Sequence, residues 1–99
     1  MKAAEKILQR MRRSLSGWNP DDFATLYNGY GFEAREGRGH TIYVHMTYRH
    51  LRATVARHGP LAKGYAEHAI GLIEQLQALQ AQHAAAAAKE EAPDDEHSR

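Results

Sequence analysis

A nine-residue stretch in the middle of the chain, Gly37–His45, combines a flexible basic turn with a histidine and a strand. Two glycines flank Arg38, and His40 follows at the point where a strand would begin. The next residues, 41–44, are β-branched or aromatic, which is typical of a short strand. An imidazole titrates near neutral pH, so His40 beside a basic turn could act as an acid or a base toward a bound anion. The same stretch also fits a plain hairpin with an exposed histidine.

Basic residues are concentrated around this stretch. Residues 35–63 carry six basic side chains and one acidic one, a net charge of +5, whereas the whole chain carries +1 and residues 89–99 carry −3. The six are Arg35, Arg38, Arg49, Arg52, Arg57 and Lys63. A focused basic surface suggests an anionic partner such as nucleic acid. A solvated face without a partner would have the same composition.

Other titratable and aromatic side chains lie near His40. Strand alternation places His45 on the opposite face from His40, which predicts a structural role for His45 rather than a second proton-transfer role. Tyr43 could stack on a nucleobase or pack in the core. The histidines at 40, 45, 50 and 58 form no HExxH pattern and no i, i+4 pair on a convincing helix, so neither a metal site nor a cofactor is predicted.

Length and composition limit the class of protein. A chain of 99 residues has room for one domain and one modest core. It contains no cysteine, which excludes disulfides and thiolate metal sites. No apolar run reaches the length of a transmembrane helix, and the first residues lack the apolar segment of a secretory signal. We therefore expect no membrane association and a cytoplasmic location.

Two helices precede the basic stretch. Residues 3–15 carry apolar side chains at helical spacing and predict a peripheral helix. A second helix begins after Asn19, a good N-cap, and ends at Gly31, which suits the left-handed position after a helix. Asp21 and Asp22 fall in its first turn, where the helix dipole favours carboxylates, so capping explains them without a catalytic role.

Three short strands are predicted at residues 32–36, 40–46 and 50–56. Their tight connections indicate an antiparallel meander, one side of which packs on helices while the other faces solvent or a ligand. In the third strand Arg52 is expected to point outward. In the second, simple alternation puts His40 with Ile42 and Val44 on the buried side, unless the glycine turn or a bulge re-aims it.

A long amphipathic helix follows from about residue 65, is extended by the alanines at 84–88, and is expected to end at Pro93. The predicted organisation is an accessory helix at 1–18, an α+β domain at 19–88 and an acidic, disordered tail at 89–99. The element order α-α-β-β-β-α predicts an α+β fold with the helices on one face of a small three-stranded antiparallel sheet.

The order of these elements and several short motifs resemble the HicA family of toxins, over roughly residues 20–80. The matching segments are Gly31-Phe32-Glu33, Gly39-His40-Thr41-Ile42-Tyr43-Val44-His45, Arg52-Ala53-Thr54-Val55 and Leu61-Ala62-Lys63-Gly64-Tyr65. The family signature is Gly-Ser-His with an aromatic residue three positions after the histidine. Here Arg38-Gly39 replaces Gly-Ser, Tyr43 supplies the aromatic residue, and Met46 stands where a proline is usual.

The resemblance implies a fold similar to double-stranded-RNA-binding domains and a metal-independent mRNA interferase. It also implies that His40 is the catalytic histidine and that a HicB-like antitoxin is the partner that covers it. We expect the backbone of the RNA to be bound by four cationic side chains: Arg35, Arg38, Arg52 and Lys63. A catalytically silent RNA-binding or antitoxin-binding module of the same fold is the alternative, and a purely structural interaction protein is a third hypothesis.

Overall fold

The computed structural model describes the backbone of residues 2–97 and the side chains of residues 2–88. In chain order its elements are α1 (Ala3–Arg13), α2 (Pro20–Gly29), β1 (Phe32–Glu36), β2 (His40–His45), β3 (Arg52–Ala56) and α3 (Lys63–His97). The predicted order α-α-β-β-β-α and the α+β class are confirmed.

Helix α2 begins and ends through local hydrogen bonds that its sequence dictates. The Asn19 side chain accepts a hydrogen bond from the Asp22 backbone N–H, and the Asp22 carboxylate accepts one from the Asn19 N–H, both at 3.1 Å. Asp22 is therefore a capping residue, as predicted. After the helix, Gly31 has φ +90°, a left-handed conformation that turns the chain directly into β1.

The sheet has the strand order β1-β2-β3, with both pairings antiparallel. Directly paired residues share a face of the sheet, so the registers define two faces. The helix face carries Phe32, Ala34, Tyr43, His45, Ala53 and Val55, and the open face carries Glu33, Arg35, His40, Ile42, Val44, Arg52 and Thr54. Burial follows this division along β3, where Ala53 and Val55 are buried and Arg52 and Thr54 are exposed.

The core lies between the helix face and the helices. Tyr27 of α2 is at its centre, stacked on Tyr43 with ring centroids 4.8 Å apart and edge-on to Phe32 at 5.1 Å. Side chains of all three helices join these aromatic rings, among them Met11, Phe23 and Ile73. Burial of this apolar surface is the main force that holds the sheet to the helices.

Helix α1 belongs to the same core as the rest of the chain. Leu8 and Met11 are almost fully buried within it. The helix lies so close to α2 that a side chain at Gly29 would collide with Ala4. The segment predicted as an accessory helix is thus packed against the α+β domain.

Helix α3 extends beyond the end predicted at Pro93, to His97. The alanines and glutamates before Pro93 have high helix propensity and favour continuation of the helix, although a proline inside a helix removes one helical hydrogen bond and its ring crowds the preceding turn. Residues 89–97 of the tail predicted to be disordered therefore have a helical backbone, and residues 98 and 99 lie outside the described residues. Among residues 2–97, no helix combines the length and the hydropathy needed to cross a membrane.

Candidate functional site

The open face of the sheet presents His40 to solvent. The prediction that His40 lies on the buried side with Ile42 and Val44 was wrong for His40, which is exposed, whereas Ile42 is half-buried and Val44 is buried. The three residues do share a face, but that face is the open one, because it is Tyr43 that packs against Tyr27 in the core. His40 is the first residue of β2 and is exposed there, whereas Val44, further along the same face, is buried.

A hydrogen bond to the preceding turn holds the His40 ring. Its Nδ1 lies 3.1 Å from the Arg38 carbonyl oxygen. A carbonyl oxygen only accepts hydrogen bonds, so the bonded Nδ1 must carry the proton. In the neutral ring Nε2 is then the unprotonated nitrogen, and it is the atom available as a base.

The turn before His40 depends on glycine. Gly39 has φ +72°, which side chains other than glycine rarely adopt. The Gly37 N–H donates to the His40 carbonyl at 2.8 Å, closing the hairpin between β1 and β2. Arg38, at the tip of this turn, is exposed beside the imidazole to which its carbonyl is bonded.

Arg57, the first residue after β3, braces this turn, meaning that it makes three contacts with the turn and its flanking strand. Its guanidinium donates to the Gly37 carbonyl and forms an ion pair with Glu36 at 2.9 Å, and its own N–H donates to the Gly39 carbonyl at 3.2 Å. Sequence reasoning counted Arg57 as a surface charge and missed this role. The signal is the register, in which His40 pairs with Ala56 and so places Arg57 beside Gly39.

Two of the predicted RNA-binding residues share the open face with His40. Arg35 pairs with Ile42 and is therefore diagonal to His40, a position about 7–8 Å away in an antiparallel pair. Arg52 pairs with Val44, four residues along β2, which corresponds to about 13 Å at 3.3 Å per residue. Both side chains are exposed.

The other two lie outside the strands. Arg38 is in the β1–β2 turn, and Lys63 is the exposed first residue of α3, which follows the loop after β3. That loop starts at Arg57, next to the turn. The fold therefore places Arg35 and Arg52 on the open face and Arg38 in the turn beside it, whereas Lys63 lies on α3.

His45 is a structural residue on the helix face. It is 6% exposed, and its Nδ1 accepts hydrogen bonds from the Thr47 and Tyr48 N–H groups at 3.1 and 3.0 Å. The ring packs edge-on against Phe32, with centroids 5.1 Å apart. Burial lowers the pKa of His45 below its ordinary value, and hydrogen bonding with the Tyr30 backbone partly opposes this shift.

The depressed pKa of His45 predicts that stability falls as pH falls. The unfolded state takes up the proton first, so the contribution is fully present above the unfolded-state pKa of about 6.5 and is lost as the pH falls below it. We expect wild type to lose free energy of unfolding between pH 7.5 and 5.5 more steeply than His45→Gln, measured by urea denaturation. Parallel pH profiles for the two proteins would contradict this assignment.

Tyr43 does not face the open side of the sheet. Its ring is 4% exposed and lies on Tyr27, so it packs in the core and presents no stacking surface to a base. Burial raises the pKa of Tyr43, and the nearby carboxylates of Glu36 and Asp21 raise it further. The phenol is therefore protonated at neutral pH and is no general base.

No cluster of three or more His, Asp or Glu side chains suited to a metal ion occurs in the described part of the chain. In comparisons with known proteins, no family model, no curated protein and no solved structure matched this chain significantly. The function must therefore be argued from the site itself.

Proposed function

We propose that this chain is a metal-independent endoribonuclease, the toxin of a toxin–antitoxin pair, in which His40 transfers the proton. The observation that carries the proposal is the exposed His40 ring, held by the Arg38 carbonyl with Nε2 as its basic atom. The substrate is mRNA in the cytoplasm, and the partner is a HicB-like antitoxin that covers the open face.

RNA supplies the nucleophile for this reaction. The Nε2 atom of His40 removes the proton of a ribose 2′-hydroxyl, whose oxygen then attacks the adjacent phosphorus. The bond from phosphorus to the 5′-oxygen of the next nucleotide breaks, leaving a 2′,3′-cyclic phosphate. The resulting imidazolium can return its proton to the departing 5′-oxygen, so one histidine serves as base and acid.

Cationic side chains replace a metal ion in this scheme. Arg38 holds the imidazole through its backbone carbonyl, and its planar guanidinium can donate two hydrogen bonds to the phosphoryl oxygens on which negative charge develops. Arg35 and Arg52 add two positive charges to the open face, which also carries Glu33, and Lys63 adds a positive charge at the start of α3. RNA binding should therefore depend on contacts with the phosphate backbone, and the affinity for RNA should fall as the salt concentration rises.

A catalytically silent RNA-binding or antitoxin-binding module is the second candidate. This candidate is favoured because, among the side chains that the structure describes, His40 has no second histidine beside it on the open face to serve as a separate acid. His45 is buried on the helix face and cannot take that role. Such a module would use the same cations. It would bind RNA or the antitoxin and leave the RNA intact.

The two candidates are separated by incubating purified protein with single-stranded RNA in EDTA. The nuclease is expected to produce fragments that end in a 2′,3′-cyclic phosphate and to leave a 2′-deoxy strand of the same sequence uncut. Binding of both strands without cleavage of either would support the silent module. Absence of RNA binding at low salt would contradict the nuclease and the RNA-binding module, and would leave the antitoxin-binding module.

Arg57 gives a prediction for the positioning of His40. Arg57→Lys keeps the charge but removes the guanidinium Nη2 atom that contacts both the Gly37 carbonyl and the Glu36 carboxylate, so the turn should loosen. We expect kcat to fall about tenfold with KM changed less than about twofold, because a displaced base slows chemistry more than binding. Steady-state cleavage kinetics measure both constants.

The matched control is Arg49→Lys, an exposed arginine in the β2–β3 connection at the opposite end of the sheet. It should leave both constants at the wild-type values. An unchanged kcat in Arg57→Lys would show that the brace does not position the base.

A further inference from the structure

A groove of about 340 Å³ lies between β3 and the first turns of α3. Its lining residues are Thr54, Ala62, Gly64, Tyr65 and His68. Thr54 is on the open face, paired with Ile42 and so diagonal to His40, a position about 7–8 Å away in an antiparallel pair. The groove therefore opens beside the surface on which the RNA backbone is proposed to lie.

Small residues keep this groove open. Ala62 and Gly64 contribute little volume, and a Cβ atom added at Gly64 would meet nothing within 4 Å. Tyr65 supplies an aromatic wall that is only half-buried. Its ring is held edge-on by Phe23, with centroids 6.4 Å apart, so the wall is already ordered before anything binds.

His68 adds an oriented polar group. Its Nε2 lies 3.3 Å from the Arg52 carbonyl oxygen, which can only accept, so Nε2 carries the proton. In the neutral ring Nδ1 is then an acceptor for an N–H group of a ligand. The same hydrogen bond ties α3 to the strand that carries Arg52.

We propose that this groove binds a nucleobase of the RNA, that of a nucleotide next to the cleaved phosphate. The placement rests on the proposed function, which puts the phosphate at His40. The ring of Tyr65 suits stacking, which every base tolerates, and the Nδ1 atom of His68 suits the N–H groups that bases carry. The volume lies in the range of small-ligand sites.

Charge favours a nucleotide over an acidic or basic peptide as the occupant. Among the residues whose side chains are described, no carboxylate lines the groove, and exposed cations adjoin it on both sides, Arg52 on β3 and Lys63 at the start of α3. If the base of a nucleotide stacks on Tyr65, the phosphates of that nucleotide lie near these two side chains. The groove would then favour single-stranded RNA over a duplex. In a duplex the bases are stacked inside the helix and cannot enter the groove.

The test compares two uncleavable probes with the same number of phosphates: a six-nucleotide 2′-deoxy oligonucleotide and an abasic oligomer of the same length. We expect wild type to bind the base-bearing probe about tenfold more tightly, measured by fluorescence anisotropy at low salt. Gly64→Leu fills the groove and should reduce this preference to about twofold or less, while affinity for the abasic oligomer stays at the wild-type value.

The matched control is Gly71→Leu, the same change two turns further along α3, where an added Cβ also meets nothing within 4 Å. It should keep the wild-type preference. An equal affinity of wild type for both probes would overturn the proposal without any variant, and so would a Gly64→Leu protein that keeps the full preference.

The outcome is independent of catalysis. If wild type prefers the base-bearing probe but cleaves no RNA in EDTA, the groove stands as a base site and the nuclease assignment fails. If RNA is cleaved but wild type shows no preference for bases, the nuclease assignment stands and the groove has another role.

Discussion

Tyr27→Ala is expected to lower the free energy of unfolding by about 3–5 kcal/mol, the usual cost of removing a fully buried large aromatic ring. The Tyr27 ring is completely buried and contacts the rings of Phe23, Phe32 and Tyr43. Its loss leaves a cavity at the point where α2 meets the sheet. A domain of this size has a total stability of about 5–15 kcal/mol, so the variant would be marginal at best.

Urea denaturation followed by circular dichroism measures this loss. With a slope of about 1–3 kcal/mol per molar urea, the midpoint should move down by about 2 M. Tyr27→Phe keeps the ring and its aromatic contacts, and it should stay within about 1 kcal/mol of wild type. A Tyr27→Ala midpoint equal to that of wild type would mean that the core is not organised around this residue.

His40→Ala is expected to reduce the rate of RNA cleavage at least about 100-fold, because general acid–base catalysis by a side chain contributes about 10²–10⁴-fold. The imidazole is exposed, and its one described hydrogen bond is to the turn, so its removal should leave the fold intact. The variant should bind RNA as wild type does, since the cations of the open face remain. Single-turnover cleavage and equilibrium binding measure the two effects separately.

His50→Ala is the control for this prediction. His50 is exposed like His40, but it lies in the β2–β3 connection at the opposite end of the sheet. Its variant should cleave at the wild-type rate. If the loss in His40→Ala came with an equal loss of RNA binding, the imidazole would be a binding group rather than the base.

The order of elements could be predicted from sequence because local signals determine it. Asn19 and Gly31 mark the two ends of α2, and the glycine turn at 37–39 separates two strands rich in β-branched and aromatic residues. The end points of β2 and β3 were less accurate. The backbone of Leu51 bonds His45 across the connection, so residues 46–51 form a loop and β3 begins at Arg52 rather than at residue 50.

The face on which His40 lies could not be predicted, for a physical reason. Alternation says which residues share a face, but β2 is apolar on both faces, with Ile42 on one and Tyr43 on the other. Partners distant in sequence decide between them: Tyr27 and Phe32 form a core into which the Tyr43 ring fits. The predicted outward direction of Arg52 was correct because β3 alternates clearly between apolar and polar residues.

The brace formed by Arg57 was hidden from sequence reasoning for a related reason. It depends on the register between β2 and β3, which brings residues about 20 positions apart into contact. Composition gives the charge of Arg57 but not its partners. The groove beside Tyr65 depends in the same way on where α3 packs against β3.

Cleavage of single-stranded RNA in EDTA by wild type and His40→Ala, at equal concentrations, tests the central claim most directly. A base at position 40 predicts 2′,3′-cyclic phosphate ends from wild type and at least about a 100-fold slower reaction from the variant, which still folds and binds RNA. Equal rates from the two proteins would contradict the claim, because the base would then have to lie elsewhere.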